Sequence, residues 1–360
     1  MSRAGRLFTF FGVALLGAAT LAKGHRPGSR IDDQLAKDTT ALRASLEHNR
    51  GRYATSPLQI PYLGWRDIFW RTVREAMDDR IMAVAGGVVY FGLLAVFPAV
   101  TALVSLYGIF ADRATITGYI GDLTMVLPAG LQSIIVGQVD RLVSQGDTTL
   151  GVAFLLSLGL ALWSANAGTK SIIEALNVAY GESEKRSFIR LNLISLGLTL
   201  IGIASLLTAL GILVVVPKMF TAIGIGSWKE TVVVLARWPL LALAATAVFA
   251  ALYRYAPSRR RPKWRWVWIG AVLAAAGWIA ASGLLSLYFS KFSDFEASYG
   301  ALGGLIAAML WMWVSLIVFL MGAEVNAESE RQTLEDTTRG GPRPLGLRGA
   351  QAADTVGASP

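Results

Sequence analysis

Asn166, Lys170, Glu174 and Asn177 are the residues of this chain best placed to do chemistry together. Their intervals of 4, 4 and 3 put an amide, an ammonium, a carboxylate and a second amide on one face of a helix. The stripe begins inside an apolar stretch and runs out of its end. Glu324, Asn326 and Glu328 stand near the end of another such stretch. Ionisable groups within a membrane are costly and often mark substrate or ion pathways, whereas near its edge they also snorkel or pair. Two readings follow. Lys170 bridged to Glu174 or Glu324 forms a structural lock, or Asn166, Lys170, Glu174, Asn177, Glu324 and Asn326 form a polar intramembrane site.

Other chemistries have less support. The chain has no cysteine and two histidines, His25 and His48, both in the polar N-terminal region. Disulfides, thiolate catalysis and cysteine-ligated zinc are thereby excluded. No Gly-x-x-x-x-Gly-Lys-Ser/Thr phosphate loop, His-Glu-x-x-His pair or Gly-x-Ser-x-Gly elbow occurs. No catalytic residue, metal ligand or cofactor is assigned, and the chain is read as a non-enzyme.

The elements that must position the stripe are apolar and long. Hydrophobic residues make up 54% of the chain and charged residues 16%. The charged share is far below the roughly 25% of soluble domains. Six apolar stretches cover about 81–111, 150–171, 191–216, 231–252, 267–289 and 301–322. Each can cross a hydrocarbon core of about 30 Å as a helix of about 20 residues. Helices are expected because backbone groups facing lipid need partners within their own segment. The fold class is therefore an all-α polytopic bundle of six transmembrane helices, with amphipathic interfacial helices.

Loop charges orient it. Arg66, Arg71, Arg74 and Arg80 precede the first stretch, and Lys185, Arg186 and Arg190 follow the second. Arg254, Arg259, Arg260, Arg261, Lys263 and Arg265 follow the fourth; Arg331, Arg339, Arg343 and Arg348 follow the sixth. The alternate loops hold Arg113, Arg141, Lys218, Lys229 and Lys291, so the division is 17 against 5. The positive-inside rule puts both ends of the six-span domain in the cytoplasm. The net charge of +9 sits beside these stretches, which suits anionic lipid and argues against nucleic acid.

Local features complete the outline. Pro98, after Gly86, Gly87 and Gly92, predicts a bent or broken first helix. Gly300, Gly303 and Gly304 open the sixth and would let another helix approach closely. Leu131, Ile134, Ile135, Val139, Leu142 and Val143 form an apolar stripe that predicts an amphipathic helix in the loop 112–148. Trp65, Ile68, Phe69, Val73 and Met77 form another, opposed by Arg66, Asp67, Arg71, Arg74 and Glu75. That helix lies in the headgroup plane or packs on the bundle. Residues 1–23 read as an apolar N-terminal anchor or marginal extra span, with a cleavable signal as a third reading. Residues 24–63 read as a polar flexible linker, 64–330 as the six-span domain, and 331–360 as a disordered C-terminal tail.

Five segments carry a resemblance. Trp163-Ser-Ala-Asn, Ala175-Leu-Asn-Val-Ala-Tyr-Gly-Glu, Tyr253-Arg-Tyr-Ala-Pro, Ser298-Tyr-Gly-Ala-Leu-Gly-Gly and Gly322-Ala-Glu-Val-Asn-Ala-Glu resemble the YihY/virulence factor BrkB family of bacterial inner-membrane proteins. The segment 83–98 is similar to that family's first span. The resemblance covers about residues 64–330. It implies a six-helix bundle in a bacterial cytoplasmic membrane, with loose links to envelope integrity and lipid export. Members have also carried the label ribonuclease BN. A zinc nuclease needs a cluster of His and Asp ligands, and two distant histidines do not supply one. The sequence reading is transport or flipping of a lipid or amphiphilic envelope component, with membrane lipids as partners. The alternative is a non-transporting scaffold for envelope integrity. Substrate, direction, energy source and oligomeric state are not written in any motif.

Overall fold

A computed structural model describes residue 47 and residues 49–110, 147–210, 227–291 and 302–359. Contacts divide the chain into Met1–Glu47 and His48–Pro360, and the architecture below is that of the second unit. The described residues are helical, with one isolated antiparallel bridge, Pro262 to Thr338, and no strand. In chain order the helices are α1 Tyr62–Asp78, α2 Ile81–Phe110, α3 Asp147–Ala179, α4 Phe188–Leu210, α5 Ser227–Tyr255, α6 Trp268–Lys291, α7 Gly303–Arg331 and a short α8 Gln351–Asp354. One 3₁₀ turn, Pro57–Gln59, precedes α1 and another, Trp264–Trp266, precedes α6.

Helices α2 to α7 stand at the six apolar stretches. Phe188–Ser205, Trp268–Phe289 and Gly303–Arg331 are long and apolar enough to cross a membrane; Ile81–Ala95 and Pro239–Tyr255 are shorter apolar segments. Pro98 does not break α2, which runs as continuous helix from Ile81 to Phe110. A proline inside a long apolar helix removes one hydrogen bond and leaves the others to hold the segment. The apolar run 7–22, the loop stripe 131–143 and Gly300 lie outside the described residues.

Small residues set the packing. The main core includes Ala85, Ala175, Ala179, Ala250, Ala271, Ala274, Ala323 and Ala327, around Tyr180, Tyr253 and Phe319. Helices α6 and α7 cross where Gly270 faces Gly322: a Cβ on Gly270 would stand 2.0 Å from the Gly322 carbonyl oxygen. Of the glycines expected to serve packing, Gly303 is buried at the start of α7. Among the described glycines the tightest contacts are nevertheless at Gly270, against Gly322, which no spacing rule singled out. Outward, Leu155, Leu160, Trp163, Leu200, Leu243 and Leu284 are exposed, as lipid-facing positions should be.

Two segments read as unstructured are folded. From residue 49 the expected flexible linker is pinned: Leu334 N–H donates to the Arg52 carbonyl (2.8 Å), Gln332 Nε2 to the Arg50 carbonyl (2.7 Å) and Thr333 Oγ1 to the Ala54 carbonyl (2.8 Å). Ala54, Ile60, Ile68 and Trp266 form a second apolar cluster beneath it. The tail is ordered too. Arg348 donates to the carbonyls of Leu334, Glu335, Arg343 and Ala353, while Asp354 accepts the backbone N–H groups of Arg348 and Gly349 at 2.9 Å. One arginine and one aspartate thus fix the tail backbone while Ala352 reaches the main core, which composition cannot reveal.

Candidate functional site

The stripe on α3 is helical throughout, yet its four residues meet different surroundings. Asn166 is half-buried, with an Oδ1 that has no partner. Lys170 forms no ion pair with Glu174 or Glu324; its Nζ faces the Phe188 ring at the start of α4, 5.9 Å from the centroid. Glu174 is exposed. Asn177 is buried and structural: its Oδ1 accepts the Ser258 N–H (2.7 Å) and its Nδ2 donates to Glu184 (3.3 Å). The expected lock through Lys170 is therefore absent, because Glu324 turns to the α1–α2 corner and Glu174 points to solvent. Asn326 also faces elsewhere, accepting the Gly270 N–H (2.8 Å) and donating to the Val267 carbonyl (3.1 Å). The six polar residues do not converge between α2, α3 and α7.

What converges instead is a buried charge network at the tail end of the bundle. Arg71 of α1 donates to Glu328 (2.5 Å), Gln332 (2.7 Å) and the carbonyls of Glu328 and Ala358. Arg331 bonds Glu328 and stands 3.5 Å from Glu75. Arg259 pairs with Glu330 at 3.0 Å, both side chains fully buried, and stacks 3.8 Å over the Tyr180 ring. Glu330 also accepts from Thr337 Oγ1 (2.7 Å). Burial works against the Arg259 charge, but Glu330 and Tyr180 outweigh it and hold the guanidinium more firmly protonated than usual. Nearby, burial disfavours the Glu184 carboxylate, yet hydrogen bonds from the Arg186 side chain and backbone hold it down to about 2. Sequence reading took Arg71 and Arg259 as topology determinants. Their partners lie 257 and 71 residues away, and no local signal marks them.

Helix α1 is divided between inside and outside differently from its sequence pattern. Asp67, Arg71 and Thr72 are buried, while Tyr62, Phe69, Trp70 and Met77 are exposed beside Arg66 and Arg74. The expected apolar stripe is therefore split: Ile68 enters the protein, and Phe69 and Met77 leave it.

A groove of about 260 Å³ lies between α3, α4 and α5, lined by Ala165, Thr169, Ile173, Thr199, Gly202 and Leu252 among others. Its walls are apolar apart from Thr169 and Thr199, whose hydroxyls meet at 2.8 Å. Lys170 follows Thr169 on α3, and Leu200 and Ile201 on α4 are exposed beside the groove. Sequence reading expected a cavity between α2, α3 and α7; the structure puts this one on the other side of α3. Among the described residues, no group of three or more His, Cys, Asp or Glu side chains could hold a metal ion.

Comparison with known proteins identifies the family. The Virulence factor BrkB family model matches residues 72–344. The ribonuclease-like protein YfkH of Bacillus subtilis (strain 168) is 34% identical over 248 residues, covering 66% of this chain and 86% of the relative. A UPF0761 membrane protein of Paraburkholderia xenovorans is 28% identical over 261 residues, covering 70% of this chain and 57% of the relative. Another, from Haemophilus influenzae, is 24% identical over 268 residues, covering 72% and 92%. No solved structure matches the chain. The chain belongs to the BrkB family, and it is a membrane protein.

Proposed function

We propose that this BrkB-family protein crosses a bacterial cytoplasmic membrane six times and moves a lipid or amphiphilic envelope component along the groove between α3, α4 and α5. The observation that carries this reading is the groove itself. It is apolar, it borders exposed side chains of α4, and the residue that follows its Thr169 on α3 is a half-buried lysine, Lys170. At about 260 Å³ it is slightly smaller than the ~300 Å³ at which small-molecule pockets begin. An acyl chain segment suits such a space, with an anionic head group directed to Lys170. The unequal division of basic residues supports placing α1, the α3–α4 and α5–α6 turns and the tail in the cytoplasm. The exposed aromatics and arginines of α1 suit the headgroup layer of anionic lipid there. We assign no enzymatic step: nothing at the groove could serve as nucleophile and base together.

Gly202 provides the test, because a side chain added there meets open space. Gly202→Phe should leave membrane abundance unchanged and lower the flipping of a fluorescent phospholipid in proteoliposomes about tenfold or more. Unchanged flipping in this variant would remove the groove from the pathway. The second reading, a scaffold for envelope integrity, is favoured by the buried ion pairs that tie α1, α7 and the tail together. Wild-type protein that flips no faster than protein-free vesicles decides for the scaffold.

A further inference from the structure

The turn between α5 and α6 and the tail after α7 are joined where both are basic. Pro262 and Thr338 form an antiparallel bridge; Lys263 N–H donates to the Thr337 carbonyl (2.8 Å) and Arg339 N–H to the Arg261 carbonyl (2.9 Å). This register sets Arg261 opposite Arg339, and both are exposed. Like charges directly opposite each other across paired segments repel. Arg260, one residue earlier, lies against Gly340, where a Cβ would stand 2.5 Å from the Arg260 Nη2. Gly340 takes φ +109°, a conformation that keeps side chains away from this guanidinium. The Arg260 Nη1 is enclosed and unpartnered, and a buried guanidinium donor calls for an acceptor.

The neighbouring acids do not take up these charges. Among the described residues, Arg260, Arg261, Arg339 and Arg343 form no ion pair. The Asp336 carboxylate is occupied by the Thr338 N–H (2.8 Å), Thr338 Oγ1 (2.7 Å) and the Arg343 N–H (2.9 Å). Glu335 is exposed and pairs with none of the four arginines. Beside them a row of exposed rings runs from the end of α5 to the start of α6. Tyr255 and Trp264 stand 6.1 Å apart between centroids, and Trp264 and Trp268 6.5 Å. The Arg261 guanidinium lies 4.9 Å from the Tyr255 centroid, and that of Arg254 lies 4.5 Å from the Trp264 centroid. Exposed tyrosine and tryptophan at the ends of apolar helices suit the level of lipid head groups.

We infer that Arg260, Arg261, Arg339 and Arg343 form a binding site for the phosphate of an anionic phospholipid head group at the rim of α5 and α6. Guanidinium forks match phosphate oxygens with paired, charge-assisted hydrogen bonds. A phosphate seated between Arg261 and Arg339 turns their mutual repulsion into attraction to a shared anion. The aromatic row selects a lipid over a free phosphate, because it offers acyl chains and glycerol a surface beside the charges that a free ion does not use. The site rests on the reading of α5 and α6 as membrane helices and not on lipid movement along the groove.

The test uses the full chain in dodecylmaltoside micelles, with bound dioleoyl phosphatidylglycerol and dioleoyl phosphatidylcholine counted by native mass spectrometry. The wild type should bind phosphatidylglycerol about tenfold or more tightly than phosphatidylcholine. Arg261→Gln combined with Arg339→Gln changes two exposed side chains that form no hydrogen bond. It should weaken phosphatidylglycerol about tenfold and leave phosphatidylcholine unchanged. Arg80→Gln combined with Arg190→Gln removes two exposed charges elsewhere and should weaken phosphatidylglycerol by less than about threefold. Equal losses in the two double variants, or no preference in the wild type, would overturn the site. Displacement of the lipid by inorganic phosphate at equal concentration, or by a short RNA, would overturn the lipid as its occupant. Should the Arg261 and Arg339 variant fail to fold, Arg260→Lys decides, since it keeps the charge and removes the fork; unchanged affinity there overturns the site. Selective binding by wild-type protein that flips no lipid upholds the site while the transport reading fails.

Discussion

The tail end of the bundle and the α3–α5 side are built on opposite plans. At the tail end, Arg71, Arg259 and Arg331 sit among Glu75, Glu328 and Glu330, and the Ala358 carbonyl of the tail takes up a further donor of Arg71. A buried charge left unpaired costs several kcal/mol, so such a network tolerates one arrangement and resists displacement. Around the groove the contacts are apolar, with one pair of threonine hydroxyls between α3 and α4. Apolar contacts carry no directional demand, and neighbouring helices can slide or part at small cost. The first plan suits an anchor, the second a surface that yields to a lipid.

Substitutions should separate the two plans by the size of their effects. The largest is expected at neither region but at the crossing of α6 and α7. Gly270→Leu forces a side chain onto the Gly322 carbonyl and Asn326, where even a Cβ stands 2.0 Å from oxygen. Overpacking a core costs about 1–3 kcal/mol and more when backbone blocks the way. Membrane fractions should contain little or no folded protein; normal amounts would mean that α6 and α7 can separate here.

Next comes the network. Arg71→Ala removes one partner of a buried pair, a change that typically costs about 3–5 kcal/mol. Because Arg331 also holds Glu328, the loss should fall at the low end, near ~3 kcal/mol, read as a lowered denaturation midpoint in micelles. Protease cleavage within residues 332–359 should accelerate in parallel, since Arg71 holds the Ala358 carbonyl at 3.1 Å. An unchanged midpoint would show that the tail end is not the rigid member of the comparison.

The smallest effect belongs to the groove. Thr199→Val removes one hydroxyl contact with Thr169 and keeps the side-chain shape, so stability should change by about 1 kcal/mol or less. A loss as large as that of Arg71→Ala would mean that the α3–α4 contact is as demanding as the charge network, and the contrast would collapse.

Much of the bundle was legible in the residues. Long apolar runs can satisfy their backbone in lipid only as helices, so the positions of α2 to α7 followed from hydropathy. The family resemblance also followed, because its motifs are contiguous in the chain. The polar stripe was correct as spacing: Asn166, Lys170, Glu174 and Asn177 do lie on one helix. Its partners were not. Whether Glu324 faces Lys170 depends on the rotation of α7 against its neighbours, and periodicity within one helix does not define that angle.

Sequence by itself determined the positions of the apolar helices α2 to α7, the family, and the alternation of basic residues along the chain, because each is a property of contiguous residues. Only the tertiary structure decided which arginines are buried, that residues 49–61 and the tail are folded, that α1 buries Asp67, Arg71 and Thr72 together with Ile68, and that the groove lies between α3, α4 and α5. Those outcomes depend on partners as far apart as Arg71 and Glu328. A guanidinium at the surface and one buried against a carboxylate are the same letter in the chain; the difference is made by what the fold brings within 3 Å of it.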